Sequence, residues 1–445
     1  MNMSKPIEVL IAEDVKENGG RVFYVGGYVR DKILGNITND VDIEVHGIEA
    51  EKLVEILGKY DEVLKIGNSF GIYTLMSHHI DIALPRKEKN TGKGHKDFEI
   101  YTDPYIGTYE AAKRRDFTMN SIMEDVLTHE IIDHFNGLDD IRNKTIRHID
   151  DETFVEDPLR VLRAAQFASR LGFLVDDKTI ELCKRIDITT LSRERVEEEL
   201  KKALLKSDKP SVFFRTLNEM NQLDYWFKEI KDTIGIIQDP FYHPEGDVFT
   251  HTMMVIDEEC KYRELVDYDI GFMFMGICHD LGKTITTTVD EKGRVHTYNH
   301  ETEGIPIIKT FLDRITRNSE IISYVTNMVP LHMKLNIMHR DQASIKATNA
   351  AFDKASHPLD LIYFALCDHP IKEDYDRKEF HFNRYELYKE IMAKPYVKGE
   401  DLLKAGIEPG VKYKEALEYA HKLRLADTPK DTALKQTLSY IRKHH

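Results

Sequence analysis

The chain has 445 residues, of which 41% are hydrophobic and 31% charged, and its formal net charge is −15. This length and apolar content are enough for two to four domains with packed cores. No run of 18 apolar residues occurs, and the first twenty residues lack an apolar signal region, so we expect a cytoplasmic protein and exclude a membrane-spanning one. The four cysteines form no C-x-x-C pair, which excludes a disulfide scaffold.

An apolar run followed by two glycines is the first informative segment. Residues 22–25 predict a short buried strand, and Gly26 and Gly27 permit a tight turn whose backbone N–H groups can face an anion. Residues 29–34 predict one or two helical turns, and the N-terminus of such a helix favours phosphate. Arg30 adds a positively charged fork. The segment is therefore a candidate phosphate-binding turn.

Asp40 and Asp42 follow that turn. Residues 41–45 alternate as a strand does, so side chains at i and i+2 project from one face. Two such carboxylates can bind a pair of divalent ions about 3.5 to 4 Å apart, and oxygen ligands favour Mg²⁺. A half-exposed strand with one polar face shows the same alternation. The glycine turn upstream makes a nucleotide site the better interpretation.

Further strands are predicted at residues 71–76, 80–84 and 130–133, which makes residues 1–145 a mixed α+β head. Asp81 alternates with two isoleucines and could present a third carboxylate beside the first two. A plain aspartate at a strand edge fits this pattern equally well. The polar, glycine-bearing residues 86–97 predict a mobile loop or a simple hairpin connection.

From residue 146 to about 235 the pattern becomes helical. Asp157-Pro158 predicts a helix start, and the residues that follow form an apolar stripe of Leu159, Leu162, Ala165, Phe167 and Leu171. Arg160 and Arg163 lie three residues apart on one flank of that helix. Arginine can donate to a nucleobase edge and aspartate can accept from it, so Asp157 and Arg160 are candidates for nucleotide recognition. Asp157 can also cap the helix, and the two roles are compatible.

Five sequence blocks in order carry a resemblance to one family. They are GGYVRDKILGNITNDVDIEV from Gly26, RRDFTMNSI from Arg114, FNGLDDI from Phe135, EDPLRVLRAAQFASRLGF from Glu156 and SRERVEEELKKAL from Ser192. Together they resemble the bacterial-type (class II) tRNA nucleotidyltransferase and poly(A) polymerase family. The resemblance implies an α+β fold, with a small mixed-sheet, polymerase-beta-like head followed by a helical neck and body.

The resemblance also implies an activity, the template-independent addition of CCA to the 3′ end of tRNA from CTP and ATP. The tRNA 3′-hydroxyl would attack the α-phosphorus in line and release pyrophosphate, with Mg²⁺ in the head. The implied catalytic residues are Asp40 and Asp42, which also bind the metal, with Asp81 in support. The implied nucleotide-binding residues are Gly26, Gly27, Arg30, Arg115, Asp116, Asn120, Asp157, Arg160 and Arg163. A flexible loop at residues 86–97 favours full CCA synthesis. Asn120 could also be an ordinary cap.

A second group of ionisable residues begins near residue 243. His251, His279-Asp280 and Asp368 resemble the H…HD…D pattern of HD phosphohydrolases, in which several helices hold one or two metal ions. A lone buried histidine is usually structural, but this stretch has several. Histidine and aspartate together accept Mg²⁺, Mn²⁺, Ni²⁺ or Zn²⁺. Candidates for a second metal or for substrate contact are His300, Glu301 and His332.

The expected organisation is a nucleotidyltransferase head at residues 1–145, a helical neck and body at 146–235, an HD domain at 236–390 and a helical tail at 391–445. Contacts of the tail with tRNA and simple packing are both open. The expected partners are tRNA, CTP and ATP, without a membrane. The net charge does not exclude RNA, because phosphate contacts depend on local basic patches.

Two alternative functions remain open from the sequence. The head could be a CC-adding, A-adding or poly(A)-extending transferase. Alternatively, the HD domain could carry the principal activity, as a phosphohydrolase for 2′,3′-cyclic or 2′-phosphates at RNA ends. A non-enzymatic RNA-binding protein is less favoured, because every expected side chain of the head site is present.

Overall fold

The computed structural model describes residues 5–36, 41–66, 71–78, 80–90, 98–368 and 375–444. Asp40 and residues 91–97 of the predicted loop therefore lie outside the described residues. The chain forms two compact units, Met1–Leu191 with Arg215–Gln222, and Ser192–Phe214 with Leu223–His445. The finer division into head, neck and body, HD domain and tail stays a prediction.

Short strands build the sheet of the first unit. In chain order they are β1 (Arg21–Tyr24), β2 (Val41–His46), β3 (Val63–Ile66), β4 (Ile72–Leu75), β5 (Ile80–Ala83), β6 (Arg86–Asn90), β7 (Phe98–Thr102), β8 (Met123–Asp125), β9 (Ile131–Ile132), β10 (Thr145–Ile146) and β11 (Leu174–Val175). Within the described residues, seven strands form one sheet in the order β3-β4-β5-β2-β1-β8-β9. Only β2 and β5 pair in parallel there. Strands β6 and β7 form a separate antiparallel hairpin, and β10 pairs with β11.

Helices accompany this sheet and continue beyond it. Those of the first unit are α1 (Ile7–Glu17), α2 (Gly27–Ile33), α3 (Ala50–Leu57), α4 (Gly107–Lys113), α5 (Gly137–Arg142), α6 (Asp151–Phe154), α7 (Leu159–Leu171) and α8 (Asp177–Cys183). Helix α7 buries the apolar stripe that the sequence predicted, and it ends at Gly172, whose φ of 65° suits glycine. Short 3₁₀ turns lie at Thr118–Asn120 and Ile188–Thr190.

The second unit is helical apart from one small hairpin among its described residues. Its elements are α9 (Arg193–Lys206), α10 (Ser211–Glu219, shared with the first unit), α11 (Lys228–Lys231), α12 (Val248–Glu259), α13 (Asp269–Cys278), α14 (Lys283–Thr286), β12 (Thr288–Val289), β13 (Val295–His296), α15 (His300–Glu303), α16 (Ile305–Ile315), α17 (Ser319–Met328), a 3₁₀ turn (Val329–Leu331), α18 (Lys334–Arg340), α19 (Ile345–Lys354), α20 (Pro358–Cys367), α21 (Tyr375–Ala393), α22 (Gly399–Lys404), α23 (Val411–Leu425) and α24 (Lys430–His444). Helix α13 is apolar almost all round because it is buried almost all round.

The predicted α+β fold class is confirmed. The predicted strands appear within one or two residues of their expected ends, while β3 and β8 had not been predicted. The segment predicted as a mobile loop or hairpin connection supplies β6 and leads to β7, so its first residues belong to a hairpin. Helix α7 begins at Leu159, with Pro158 as its cap residue rather than its first residue. Among the described residues, no helix combines the length and apolar character required to cross a membrane.

Candidate active site and metal cluster

A cleft of about 580 Å³ opens in the first unit, and its lining is unusually rich in arginine. Seven arginines line it, namely Arg30, Arg86, Arg114, Arg115, Arg160, Arg163 and Arg170. Six carboxylates also line it, namely Asp31, Asp42, Glu44, Asp81, Asp116 and Asp157. The cleft therefore has a small positive excess, of seven arginines over six carboxylates, in a chain whose net charge is −15. This local charge suits an anionic ligand.

Two of the three predicted carboxylates lie side by side in the cleft. Asp42 on β2 and Asp81 on β5 are direct partners in the parallel register, so their side chains share one face of the sheet. The hydroxyl of Thr74 donates to Asp81 Oδ1 at 2.6 Å. Strand pairing therefore brings together two aspartates that lie 39 positions apart in the sequence. Their oxygens are ligands of the kind that Mg²⁺ prefers.

Glu44 is a cleft residue that the sequence interpretation missed. It follows Asp42 by two positions, so it lies on the same face of β2, but it is buried and paired. His46 Nε2 lies 2.8 Å from its Oε1, and Arg115 Nη2 donates to its Oε2 at 3.2 Å. Burial alone would raise the pKa of Glu44, but His46 and Arg115 outweigh it and lower the pKa. The alternation of Asp40, Asp42 and Glu44 in the sequence already placed Glu44 on the face of Asp42.

Gly26 is required at the predicted phosphate turn. Its φ is 65°, and a Cβ there would lie 3.2 Å from Arg115 Nη1 and 3.8 Å from Asp42 Oδ2. A side chain would therefore be strained and would crowd both charged groups. Helix α2 begins directly afterwards at Gly27 and carries Arg30 inward, where only 2% of that residue is exposed.

A chain of hydrogen bonds links Arg30, from the block that begins at Gly26, to Arg163, from the block that begins at Glu156. Arg30 Nη1 donates to Asn120 Oδ1 at 2.7 Å, and Asn120 Nδ2 donates to Asp116 Oδ1 at 2.9 Å. Asp116 Oδ2 accepts from Arg163 Nε at 2.7 Å. Burial would raise the pKa of Asp116, but Arg163 and Asn120 hold it below its usual value. Asn120 is thus a bridge between two charged residues and not simply a cap.

Phe167 lies at the centre of this arginine group. The guanidinium carbons of Arg30, Arg163 and Arg170 lie 4.9, 5.1 and 5.8 Å from the centre of its ring. Asp31 completes the arrangement, since its carboxylate accepts from Arg30 Nε at 2.8 Å and from Arg170 Nη2 at 3.4 Å. The sequence pattern placed Phe167 only in an apolar stripe. Arg163, four positions before Phe167, and Arg170, three positions after it, lie on the same helix face, and this spacing already indicated a cation–π contact.

Asp157 and Arg160 both reach the cleft, and both make structural contacts. Asp157 Oδ1 accepts from the Leu159 amide at 3.1 Å, so its side chain satisfies the first N–H of α7 from the position before the cap residue Pro158. Arg160 donates to the carbonyls of Thr153 at 2.6 Å and Arg114 at 2.7 Å. Their positions in the cleft lining fit nucleotide recognition, while their contacts fix them without a ligand.

The predicted HD residues come together in the second unit. His251, His279, Asp280 and Asp368 are each less than 4% exposed. His251 Nε2 lies 3.2 Å from Asp368 Oδ1, and His279 Nε2 lies 3.2 Å from Asp280 Oδ2. These residues come from α12, the end of α13 and the end of α20. We call them, together with His300 and His332, the histidine cluster.

Asp280 lies between two groups of histidines. Its Oδ2 is near His279, while its Oδ1 lies 3.2 Å from His300 Nε2 and 4.0 Å from His332 Nε2. Lys283 Nζ also lies 2.7 Å from Oδ2. His300 and His332 therefore belong beside the predicted ligands, as the sequence had suggested. Glu301 is a weaker neighbour, at 3.8 Å from His300 Nδ1.

The backbone orients these imidazoles for metal binding. The Nδ1 atoms of His279, His300 and His332 lie 2.7 to 2.8 Å from carbonyl oxygens three residues earlier in the chain. Such bonds fix the tautomer that leaves Nε2 with a free lone pair. Burial lowers the pKa of His332 to about 3, which keeps its ring neutral.

Unsatisfied atoms provide a test of whether a metal ion fits here. His279 Nε2 and both oxygens of Asp280 are buried without a hydrogen bond of good geometry among the described residues, while Lys283 Nζ forms an ion pair with Asp280 Oδ2 at 2.7 Å. Buried polar groups rarely stay unsatisfied, because each costs about 1–3 kcal/mol. The ligand types and this unmet valence both fit a divalent metal.

Comparisons with known proteins agree with this geometry. Residues 22–147 match the poly A polymerase head domain family. The multifunctional CCA protein of Pasteurella multocida is 35% identical over 293 residues, which cover 64% of this chain and 67% of that protein. The one from Nitrosomonas europaea is 36% identical over 299 residues, covering 66% and 69%. In Psychromonas ingrahamii the protein of that name is 29% identical over 90% of this chain and 96% of its own length.

Solved structures of CCA-adding enzymes share the fold. The Thermotoga maritima enzyme complexed with tRNA has a TM-score of 0.65 at 19% identity, covering 99% of this chain and 97% of its own. A CCA-adding enzyme complexed with ATP has a TM-score of 0.68 at 20% identity, covering 98% and 93%. The resemblance found in the sequence blocks is confirmed. The chain belongs to the family of the multifunctional CCA proteins, and its residues 22–147 match the poly A polymerase head domain.

Proposed function

We propose that the cleft of the first unit adds CCA to the 3′ end of tRNA, using CTP and ATP. The tRNA 3′-hydroxyl attacks the α-phosphorus, the bond to the β-phosphate oxygen breaks, and pyrophosphate leaves. The observation that carries the proposal is a single cleft lined by paired carboxylates and seven arginines. Carboxylates for a metal and arginines for a triphosphate are the two groups that this reaction needs.

Enzymes of this family are expected to depend on a divalent metal ion. In this chain Asp42 and Asp81, together with Asp40, would hold Mg²⁺. When bound, Mg²⁺ supplies charge neutralisation and alignment of the attacking and leaving oxygens. Asp42 and Asp81 need no rearrangement for this role, because the register of β2 and β5 already places them on one face.

The arginines bind and neutralise the triphosphate. Arg30, Arg163 and Arg170 surround one ring, and Asp31 and Asp116 pair with them. The whole cleft is lined by seven arginines and six carboxylates, a small positive excess that suits an anionic ligand. Since hydrogen bonds already hold Arg30 and Arg163, little ordering remains to be done on binding.

Nucleotide selection falls to the start of α7. Arg160 has guanidinium N–H groups for base acceptors, and Asp157 has carboxylate oxygens for base amino groups. Both residues are fixed by α7 and the carbonyls near it. A fixed pair can present one hydrogen-bonding pattern to CTP and, after a small shift, another to ATP.

The test is extension of tRNA transcripts lacking three, two or one of the terminal nucleotides, with Mg²⁺, CTP and ATP. All three substrates should reach the same CCA end at single-nucleotide resolution. Products that stop at CC, gain only A, or continue into a tail would instead identify a CC-adding, A-adding or poly(A)-extending enzyme.

A second activity is proposed for the histidine cluster, namely hydrolysis of 2′,3′-cyclic or 2′-phosphates at RNA ends. The unsatisfied atoms of His279 and Asp280 support a metal there, as Mg²⁺, Mn²⁺, Ni²⁺ or Zn²⁺. His251, His279, Asp280 and Asp368 would hold the metal, and His300 and His332 lie beside Asp280 as further candidate ligands. When bound, such ions supply Lewis-acid activation of water and phosphate.

Substitution of Asp280 by alanine tests this second activity. Phosphate release from 2′,3′-cyclic nucleotides should disappear, while CCA addition continues unchanged. If neither the parent protein nor the variant releases phosphate with any of the four metals, the cluster does not perform this hydrolysis.

The remaining assignments complete the proposal. The head, neck and body, HD domain and tail take the bounds 1–145, 146–235, 236–390 and 391–445, and the protein acts in the cytoplasm. In the tail, α23 and α24 pack through a small apolar core and a stacked pair, Tyr419 and Tyr440, whose ring centres are 4.2 Å apart. The tail also contacts the preceding helices, since Asn349 Nδ2 donates to the Leu425 carbonyl at 2.8 Å and His421 Nε2 lies 2.9 Å from Asp353 Oδ2.

A further inference from the structure

Exposed aromatic residues lie close in sequence to members and neighbours of the histidine cluster. Among the described residues of the second unit, four aromatic side chains are more than 60% exposed: Phe241, Tyr242, Tyr298 and Tyr375. Three of the four lie within two residues of a histidine that contacts the cluster. Phe241 and Tyr242 precede His243, and Tyr298 precedes His300. Exposed aromatic side chains of this size are unfavourable in water, so a group of them near one buried site indicates a binding surface.

The first pair forms a fixed platform. Phe241 is 83% and Tyr242 62% exposed, and their ring centres lie 5.0 Å apart in an edge-to-face arrangement. The backbone beneath them is tied to Asp239, whose side chain accepts from the Phe241 amide at 2.9 Å and whose carbonyl accepts from Tyr242 at 3.1 Å. The rings therefore project from a structured turn.

This turn leads directly into the cluster. His243 follows Tyr242, so their Cα atoms are about 3.8 Å apart. The His243 ring centre lies 4.6 Å from that of His251, and both Nδ1 atoms contact the Glu245 carboxylate, at 3.0 and 2.7 Å. His243 thus links the exposed platform to a predicted metal ligand.

A second exposed aromatic residue, Tyr298, lies two residues before His300 of the histidine cluster. Tyr298 is 73% exposed, and the His296 ring stacks on it with centres 5.2 Å apart and planes 12° apart. His296 Nε2 lies 3.1 Å from Asp290, which steadies the stack. Two residues after Tyr298 comes His300, at 3.2 Å from Asp280. The two Cα atoms can be at most about 7 Å apart.

We propose that Phe241, Tyr242 and Tyr298 form a nucleobase-binding rim around the histidine cluster. The ligand is the unpaired end of an RNA strand, or a single nucleotide, whose base stacks on these rings while its phosphate enters the cluster. This inference rests on the proposed hydrolase activity and names its substrate class. The rim distinguishes a nucleotide from phosphoesters that have no base.

Stacking is the interaction that fits these rings. Every nucleobase offers a flat face, so aromatic platforms bind single-stranded nucleic acid with little sequence preference. Such rings must remain exposed until the ligand arrives, as these do. An unpaired end is required, because a base inside a duplex is already stacked on its neighbours.

The test measures binding separately from hydrolysis, by calorimetry on the full-length protein with EDTA and again with Mn²⁺. The probes are adenosine 2′-phosphate and the base-free ribose 5-phosphate. Tyr242→Ala and Tyr298→Ala should each weaken binding of adenosine 2′-phosphate about fivefold or more, the value of one stacked base. Binding of ribose 5-phosphate should not change.

Matched variants exclude other causes. Tyr242→Phe and Tyr298→Phe keep the rings and should bind like the parent protein. Tyr225→Ala removes an exposed tyrosine distant in sequence from the cluster residues and should have no effect. The KM for ATP in CCA addition should also stay constant, which separates the rim from the nucleotide site of the first unit.

The outcomes separate the rim from the hydrolase. If the alanine variants bind adenosine 2′-phosphate as tightly as the parent, the rim is overturned, whatever the rate of phosphate release. If the parent releases no phosphate but the rim variants still lose affinity for adenosine 2′-phosphate alone, the rim stands and the hydrolase proposal fails.

Discussion

The arginine cleft and the histidine cluster both collect ionisable side chains, but they balance charge in opposite ways. In the cleft, Arg30, Asn120, Asp116 and Arg163 satisfy one another through a continuous chain of hydrogen bonds. In the cluster, the buried oxygens of Asp280 find no hydrogen-bond partner of good geometry among the described residues. A cleft whose arginines are ordered in this way suits a large anionic substrate that binds and leaves. A buried cluster whose carboxylate lacks hydrogen bonds of good geometry suits a compact cation that stays.

The largest expected effect breaks the cleft alone. Asp42→Ala should lower the rate of CCA addition by about 10²- to 10³-fold or more, as expected when stabilisation of transition-state charge is removed. Phosphate release by the cluster should not change. Extension of tRNA under single-turnover conditions measures the loss. Asp139→Ala, an exposed aspartate in the same unit, is the matched control and should extend tRNA normally. Wild-type extension by Asp42→Ala would remove this residue from the catalytic site.

The next largest effect concerns the amount of metal that the histidine cluster binds. His332→Ala removes an imidazole beside Asp280, so the variant should retain less Mn²⁺ than the parent. Asp280→Ala should retain the least, because its carboxylate lies between both groups of histidines. Metal content after dialysis measures this difference. An exposed histidine, His129, provides the control His129→Ala. Equal metal content in His332→Ala and the parent would exclude His332 as a metal ligand.

A smaller effect concerns the aromatic centre of the arginine group. Phe167→Leu keeps an apolar side chain but removes the ring that Arg30, Arg163 and Arg170 approach. The KM for CTP and ATP should rise about tenfold, with a lesser change in kcat, because a desolvated cation–π contact contributes about 1–2 kcal/mol. Phe167→Tyr should restore the KM. Phe214→Leu, a buried core change in α10 near other phenylalanines, should lower thermal stability without raising KM.

The smallest effect is the response of stability to acid. Because the pKa of Glu44 is lowered in the folded protein, its contribution is present above the ordinary glutamate pKa and is lost as pH falls through the lowered value. Glu44→Gln should therefore lose less stability than the parent as pH falls below about 4.3, the unfolded glutamate pKa. Thermal midpoints between pH 3 and 6 provide the measurement. The exposed Glu130→Gln serves as the control, and identical acid sensitivity in parent and Glu44→Gln would exclude this role.

The sequence carried the fold class and the family because both depend on local patterns. Alternation identified β2 and β5, and the glycine turn identified the start of α2. Strand pairing was not available from the sequence, so Asp81 stayed one of two interpretations until the register placed it beside Asp42.

Long-range contacts explain what the sequence interpretation missed. Phe167 fitted an apolar stripe, and only the approach of α2 to α7 brings Arg30 to its ring. Glu44 continued an acidic alternation, but its pairing with Arg115 requires the end of α4 to lie near β2. The cluster histidines were predicted individually, while the bridging position of Asp280 depends on the packing of several helices.

The central claim is that one chain holds two separable sites, a transferase cleft and a hydrolytic cluster. The most direct measurement assays the parent, Asp42→Ala and Asp280→Ala side by side for tRNA extension and for phosphate release from 2′,3′-cyclic nucleotides. We predict that Asp42→Ala loses only extension and Asp280→Ala loses only phosphate release. Loss of both activities in either folded variant, or full extension by Asp42→Ala, would contradict the claim.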